Sequence, residues 1–326
     1  VLENYQNIIP SFNSIFSQVF SGSAAAGGFL GASFAMSLKL GVARGLYSNE
    51  AGQGSSPIAH ASAKTEHSIE QGMVSILEPF IDTIVVCSVT ALVILSSGAW
   101  TQKYENIFER SSMAIFAGDY TESNSQDVEE LGKYILDARK FTSNTTAVKN
   151  YSGNLNIVDG ELEQSDITIF HNNSIAEDVR FYKQNIAYDG SLKINNGVIN
   201  DRSIQVKGKS LIHSAELTSK AFGSGVLGMY GEYIVAIGLL LFAFSTAIAW
   251  SYYGDRSTAY IFGENAVPWY RSLYVLCFIA AAIIDTTVIW NIAYVVVALV
   301  TIPNLFAMFL LRKEMREQVT NYVVEK

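Results

Sequence analysis

The chain is poor in the residues that carry most recognisable chemistry. Two cysteines, four histidines and five prolines occur among its 326 residues. Cys87 and Cys277 both sit in apolar runs, with no CxxC and no Cys/His cluster. They read as two buried free thiols, not as a disulfide framework or a zinc site. Charge is scarce as well: 16% of residues are charged, against roughly 25% in a soluble domain. A net charge of −8 argues against nucleic acid as a partner, because phosphate binding needs a basic face. These averages exclude a disordered chain, a collagen or coiled-coil rod, and a disulfide-stapled secreted peptide. No basic stretch precedes a short apolar segment with a cleavage site, so the chain does not open on a signal peptide. It begins with Val1 and reads as starting inside a longer protein. No tandem repeat is visible along it.

What is present is unevenly spread. Residues 101–222 hold 13 of the 22 Lys+Arg and 17 of the 30 Asp+Glu. The remainder is apolar, which predicts a membrane protein with a soluble insert. A hydrocarbon core of ~30 Å needs about 20 residues of helix. Five segments meet that need: A near 12–40, B near 73–99, C near 226–251, D near 270–287 and E near 289–311. D and E are nearly continuous, and read as a tight hairpin or as one long tilted helix. Basic residues in the short connections set the orientation. Lys39, Arg44 and Lys64, then Arg256 and Arg271, then Arg312, Lys313 and Arg316 fall on one side, which is assigned to the cytoplasm. The insert is then extracytoplasmic and the C-terminus cytoplasmic. Three parts follow: 1–100 with two spans and a cytoplasmic loop, 101–222 as the insert, and 223–326 with three spans and a tail.

The insert reads mainly as strands. The runs 154–170 and 190–212 alternate apolar with polar residues, and Asn196-Gly197 is a strong two-residue hairpin turn. Residues 128–141 pattern as one amphipathic helix. Proline is absent from the insert. A small β-rich or α+β domain is expected.

Segment A holds Gly22, Gly27, Gly28 and Gly31 in its middle. Glycine in a helix interior costs up to ~1 kcal/mol against alanine. Two readings stay open: close helix packing through small residues, or a broken helix whose freed backbone groups bind something. The loop after it, "GVARGLYSNEAGQGSSPIAHASAK" (41–64), is the most distinctive stretch. It lacks the Lys of a phosphate loop and the third Gly of a dinucleotide fingerprint. His60 and His67 have neither the order nor the spacing of a metal pair and read as solvated loop residues. In segment C, Thr246 and Trp250 are four apart and share a face. Ser245 and Thr246 place adjacent hydroxyls at membrane depth; they either bond back to their own helix or face a ligand. Glu78 and Asp82 in segment B read as a proton relay, or as an interfacial acid and an acid bonded to a neighbouring helix or the 41–64 loop.

The blocks "RGLYSNEAGQGSSPIAHA", "QG" at 71–72, "FIDTIVVCSVTALVIL" at 80–95, "FAFSTAIAWSYYG" at 242–254 and "IPNL" at 302–305 resemble the alanine/glycine:cation (sodium:alanine) symporter family, in that family's order. The resemblance covers about 1–100 and 215–315, and not the bulk of the insert. It implies an all-α polytopic membrane protein whose five helices form the second inverted repeat of a leucine-transporter-like fold. It implies that segment A is the broken helix opening that repeat, with Gly27 and Gly28 near a small substrate. It further implies substrate contacts from Thr246 and Trp250, and a sodium ion at Ser245 and Thr246, where oxygen ligands suit a hard cation. Sodium would be a coupling ion, with no other cofactor.

The leading expectation is therefore a secondary active transporter in the cell membrane. It would couple sodium entry to uptake of a small neutral amino acid, alanine or glycine, by alternating access. The alternative is a membrane-anchored surface binding or sensor protein acting through 101–222. An enzyme is not expected, since HExxH, a G-x-S-x-G elbow and a convincing Ser/His pair are all lacking.

Overall fold

A computed structural model describes residues 4–21, 34–50, 52–138, 147–284 and 286–325. The chain divides into two compact units. One comprises Val1–Leu40 with Thr90–Val235, the other Gly41–Val89 with Ala236–Lys326. The helices, in chain order, are α1 (Ile8–Ser21), α2 (Phe34–Ser48), α3 (Ser56–His60), α4 (Ser68–Ser97), α5 (Ser125–Ala138), α6 (Ser214–Gly223), α7 (Met229–Phe262), α8 (Val267–Ala281) and α9 (Thr286–Glu325).

Among the described residues, three helical stretches are long and apolar enough to cross a membrane: Ser68–Ser97, Met229–Phe262 and Ile292–Tyr322. They correspond to segments B, C and E. Their apolar side chains stand exposed, as in Leu240, Phe242 and Leu299. Apolar area of that extent in water would be a binding surface, and in a bilayer it is ordinary lipid contact. Cys87 and Cys277 are exposed on their helices, which corrects the expectation of buried thiols. An apolar run marks contact with hydrocarbon as readily as contact with a protein core. Segment D is α8, whose 15 residues reach only ~22 Å at 1.5 Å per residue. The chain turns at Ala282–Ile283 before α9 starts, so D and E are separate helices. Segment A is represented by α1 and α2, of 14 and 15 residues. Gly22, Gly27, Gly28 and Gly31 lie outside the described residues.

α4 is not uniform. After Pro79 it runs as a π-helix from Phe80 to Val86, and the Cys87 N–H donates to the Asp82 carbonyl five residues back. π-turns of this kind are uncommon and concentrate at functional positions.

Among the described residues of the first unit, twelve strands lie between Lys103 and Leu211. They are β1 (Lys103–Ile107), β2 (Met113–Ala117), β3 (Lys149–Asn150), β4 (Gly153–Val158), β5 (Glu161–Leu162), β6 (Ile167–His171), β7 (Ser174–Ile175), β8 (Glu177–Lys183), β9 (Ile186–Ala187), β10 (Gly190–Asn195), β11 (Val198–Ile199) and β12 (Ile204–Leu211). They form three antiparallel four-stranded sheets, ordered β1-β12-β8-β9, β11-β10-β4-β5 and β3-β2-β6-β7. Period-two alternation sends Leu155, Ile157, Leu192 and Ile194 into one core with Ile115, Phe181 and Val206. A second core forms where α5 lays Leu131 and Ile135 on Phe116 and Phe170. A third roots the strands: Ala99, Ile212, Leu217 and Ala221 pack with Val93 and Ile94 of α4. The Asn196-Gly197 turn forms as the sequence predicts. Both residues have positive φ, 50° and 77°, and Asn195 pairs with Val198 across it.

The strands also reveal an internal repeat that corrects the reading of the sequence as repeat-free. Tyr151-x-Gly153-x-Leu155-x-Ile157 recurs as Tyr188-x-Gly190-x-Leu192-x-Ile194, and Gly160 recurs as Gly197. The hydrogen bonds repeat with it. Tyr151 N–H donates to the Ile115 carbonyl (2.8 Å), Gly197 N–H to Tyr151 (2.7 Å), and Ile115 N–H to Gly197 (3.0 Å). In the second copy Tyr188 N–H donates to Phe181 (2.9 Å), Gly160 N–H to Tyr188 (3.0 Å), and Phe181 N–H to Gly160 (2.8 Å). β4 and β10 pair antiparallel with Leu155 opposite Leu192, so a pseudo-twofold axis passes between them. Two glycines, one tyrosine and two core residues per copy are too few to stand out in sequence.

Candidate functional site

α7 carries the side chains singled out in segment C. Thr246 and Trp250 lie one turn apart on the same face, and both are exposed. The Trp250 indole meets Tyr253 edge-on at 5.9 Å. The Ser245 hydroxyl donates to the Phe242 carbonyl at 3.0 Å, the back-bonding expected of a serine within a membrane helix. That bond uses the hydroxyl hydrogen and none of the oxygen's two lone pairs. Thr246 and Trp250 thus share one face of α7, with Ser245 next to Thr246 in the chain. Gly27 and Gly28 lie outside the described residues.

Sequence reasoning missed a denser constellation in the second unit, where the end of α2 and the loop after it meet α4 and α9. Three local bonds shape that stretch. Asn49 Nδ2 donates to the Gly45 carbonyl (3.2 Å), and Gln53 Nε2 to the Leu46 carbonyl (2.8 Å). The second satisfies a carbonyl that the helix end would leave orphaned, while the Gly45 carbonyl also accepts the Asn49 backbone N–H at 3.1 Å. The Ser55 hydroxyl donates to Glu50 Oε2 at 2.5 Å. Gln53 and Ser55 are buried. Gly52 and Gly54 adopt φ of 75° and 77°, a left-handed conformation that favours glycine.

The same stretch reaches two long helices. On α4, Asn49 and Thr83 bond reciprocally at 2.8 and 3.0 Å. The Ser48 hydroxyl donates to Asp82. Asp82 is thus held by a hydroxyl at the end of α2, the structural alternative to a proton relay. On α9, Asn304 Nδ2 donates to the Gly52 carbonyl at 2.9 Å. A Cβ on Gly54 would lie 2.6 Å from Asn304 Oδ1, so only glycine admits this approach. Tyr47 packs edge-on against Trp290 (5.8 Å) and Tyr294 (5.4 Å), and the Arg44 guanidinium lies 5.1 Å from the Trp290 ring centre. The blocks "SNEAGQGSS" and "IPNL" are each legible in the sequence, but nothing in it says that they touch.

Glu78 faces α3. Gln71 Nε2 donates to His60 Nδ1 at 2.8 Å, and the tautomer this selects donates from Nε2 to Glu78 at 3.3 Å. His67 is exposed and meets Tyr322 edge-on. Among the described residues no three His, Cys, Asp or Glu side chains are grouped to hold a metal.

Comparison with known proteins assigns the chain. The sodium:alanine symporter family model matches residues 1–136 and 198–326. An uncharacterised transporter of Haemophilus influenzae is 26% identical over 99% of this chain and 47% of its own length. The sodium/alanine symporter AgcS of Methanococcus maripaludis is 28% identical over 94% of this chain and 44% of its own. The probable sodium/glutamine symporter GlnT of Bacillus subtilis is 45% identical over 26% of this chain and 17% of its own. The chain spans about half the length of the first two. No solved structure matches it. These relatives are transporters and not enzymes, and with most of its length matched the chain belongs to the sodium:alanine symporter family.

Proposed function

We propose that this chain is the working second half of a sodium-coupled symporter for small neutral amino acids, alanine or glycine, that operates by alternating access. The family match over residues 1–136 and 198–326, which leaves out the middle of the β-rich insert, carries the reading. In it the helices form the second inverted repeat of a leucine-transporter-like fold. Ser245 and Thr246 supply oxygen ligands to sodium. Gly27, Gly28, Thr246 and Trp250 contact the substrate: the glycines leave room for a small zwitterion, and the indole closes an apolar side with one N–H to donate. A charge moving inward through 100 mV gains about 2.3 kcal/mol, which is available to concentrate the substrate. The protein sits in the cell membrane, with the 101–222 insert outside and the C-terminus in the cytoplasm.

The test uses the full-length protein in proteoliposomes. Labelled alanine should enter under an inward sodium gradient and not when potassium replaces sodium. Ser245→Ala with Thr246→Ala should raise the sodium needed for half-maximal uptake by ~10-fold or more, about 1.4 kcal/mol of lost ion binding. Unchanged sodium dependence in that double variant would sink the ion assignment. Trp250→Ala should raise the alanine KM.

One observation favours a second reading, a surface binding or sensor protein acting through the insert. A cleft of about 670 Å³ opens there between Glu105, Glu161, Arg180, Tyr182 and Lys207. If alanine, glycine and serine all fail to enter under sodium or proton gradients, that cleft becomes the working site.

A further inference from the structure

Residues 48–50 and 52–55 lie within the most distinctive loop of the sequence, 41–64, and neither the sodium site nor the substrate site uses them. We propose that they form a strap: it ties the C-terminal end of α2 to the middle of α4 and of α9, so that these three segments move as one body. Thr83 and Asn304 are its positioning residues. The strap itself stands on geometry alone; only its effect on turnover rests on the symport reading.

Its anchors fall where the two long helices are weakest. Asp82 and Thr83 lie inside the π-turn of α4, Phe80–Val86. Asn304 follows Pro303, an interior proline of α9. Proline offers no N–H to the carbonyl one turn back, and sharp bends in helices gather at prolines and π-turns. A short loop that bonds both helices at those points takes away the freedom the irregularities would give each helix alone.

The strap is stiff. Its two glycines hold left-handed backbone, Gln53 and Ser55 are buried, and Asn304 leaves no space for a side chain at Gly54. A gate that opened here in every cycle would strip partners from Thr83, Asn49 and the Gly52 carbonyl. Thr83 sits mid-way along a helix long and apolar enough to cross a membrane, and polar partners to replace them are scarce along such a helix. The contacts therefore persist while other parts of the protein rearrange.

The experiment places spin labels on exposed α2 and α9 positions, Val42→Cys and Met308→Cys, in full-length protein whose native cysteines are replaced by serine. Distances are measured in nanodiscs with potassium, with sodium, and with sodium plus alanine. One narrow distribution is expected, its mean moving by less than ~2 Å between conditions, the scale of packed helices adjusting in place. A larger shift, or two populations, overturns the strap. Thr83→Val with Asn304→Ala should broaden the distribution, and Thr83→Ser, which keeps the hydroxyl, should not. An unchanged width in the double variant also overturns it.

Uptake supplies the second readout. The double variant should lose ~10-fold or more in maximal rate while its alanine Kd stays within ~3-fold, because the strap positions helices and does not touch substrate. Full turnover in the double variant overturns the positioning role. A wild-type protein that transports nothing under sodium would fail the symport reading, and the distance measurements would still decide the strap.

Discussion

His171 is a titratable side chain sealed inside the β-rich region. It is 1% exposed and stacks on Phe108 at 4.3 Å. Its Nδ1 lies 2.7 Å from Ser210 Oγ, and its Nε2 accepts from the Glu109 N–H at 3.2 Å. Burial, with a smaller contribution from nearby His213, pushes its pKa down to about 4. An unfolded histidine titrates near 6.5, so between those values the unfolded chain binds more protons than the folded one. The stabilisation is complete above pH 6.5 and is lost progressively as pH falls toward 4. The loss is of the order of 3 kcal/mol. Amide exchange in β6 and β12, corrected for intrinsic rates, should therefore be faster at pH 4.5 than at pH 7. His171→Gln should flatten that difference, and an equal fall in both proteins would show that other groups carry it. At the same scale, Gly160 and Gly197 hold positive φ, and a Cβ on either would lie 3.1 or 3.0 Å from a carbonyl oxygen, that of Phe181 or of Ile115. Alanine at either position should destabilise the strands by at least ~1 kcal/mol, and by similar amounts, because the pseudo-twofold axis makes the two sites equivalent. Markedly unequal losses would argue that the symmetry is only one of outline.

Between elements, α7 and α8 are joined by chemistry that leaves no slack. Arg271 bonds both oxygens of the buried Asp255 carboxylate, at 3.2, 3.0 and 2.6 Å, and the Tyr274 hydroxyl donates to the Ala247 carbonyl at 2.9 Å. A Cβ on Gly254 would lie 1.8 Å from the Tyr270 hydroxyl. Gly254→Ala should push the helices apart and cost 1–3 kcal/mol, roughly the range for overpacking. A detergent-solubilised thermal melt followed by size-exclusion would show it; a melt unchanged from wild type would mean that Tyr270 swings aside. What was legible at this scale follows from period. Alternation placed the strands, and Asn196-Gly197 placed its turn, because those signals are local. Helices were legible at B, C and E from their long apolar windows, though α7 and α9 run on to Phe262 and Glu325, and at α5 (Ser125–Ala138) from its amphipathic period over 128–141. α8 is short, and hydropathy alone did not separate it from α9. The contact of Gly52 and Gly54 with Asn304 was illegible because the partners lie far apart in sequence and no local signal links a turn glycine to a helix asparagine.

Taken whole, the chain is a transporter-family body interrupted by a β-rich cassette. The unmatched residues, 137–197, fall inside the cassette, and the side chains expected to meet substrate and ion fall outside it. Replacing 103–211 by a few glycines and serines should leave sodium-driven uptake within ~3-fold of wild type. Complete loss, with normal insertion in the membrane, would place the cassette within the transport machinery. Membrane character and family were legible in the sequence because both rest on long contiguous blocks. That Thr246 and Trp250 share one face of α7 was legible because a helix repeats every four residues or so. The internal repeat was not, because a fold of this kind is specified by a few glycines and core positions while the rest drifts. One consequence lies in how the cassette is attached. Its first and last strands pair with each other, Lys103 opposite Leu211, which sets the two ends only ~5 Å apart. A floppy loop of about a hundred residues would cost roughly 3 kcal/mol more closure entropy than a tight turn. A folded cassette with adjoining ends imposes no such tax on the helices on either side.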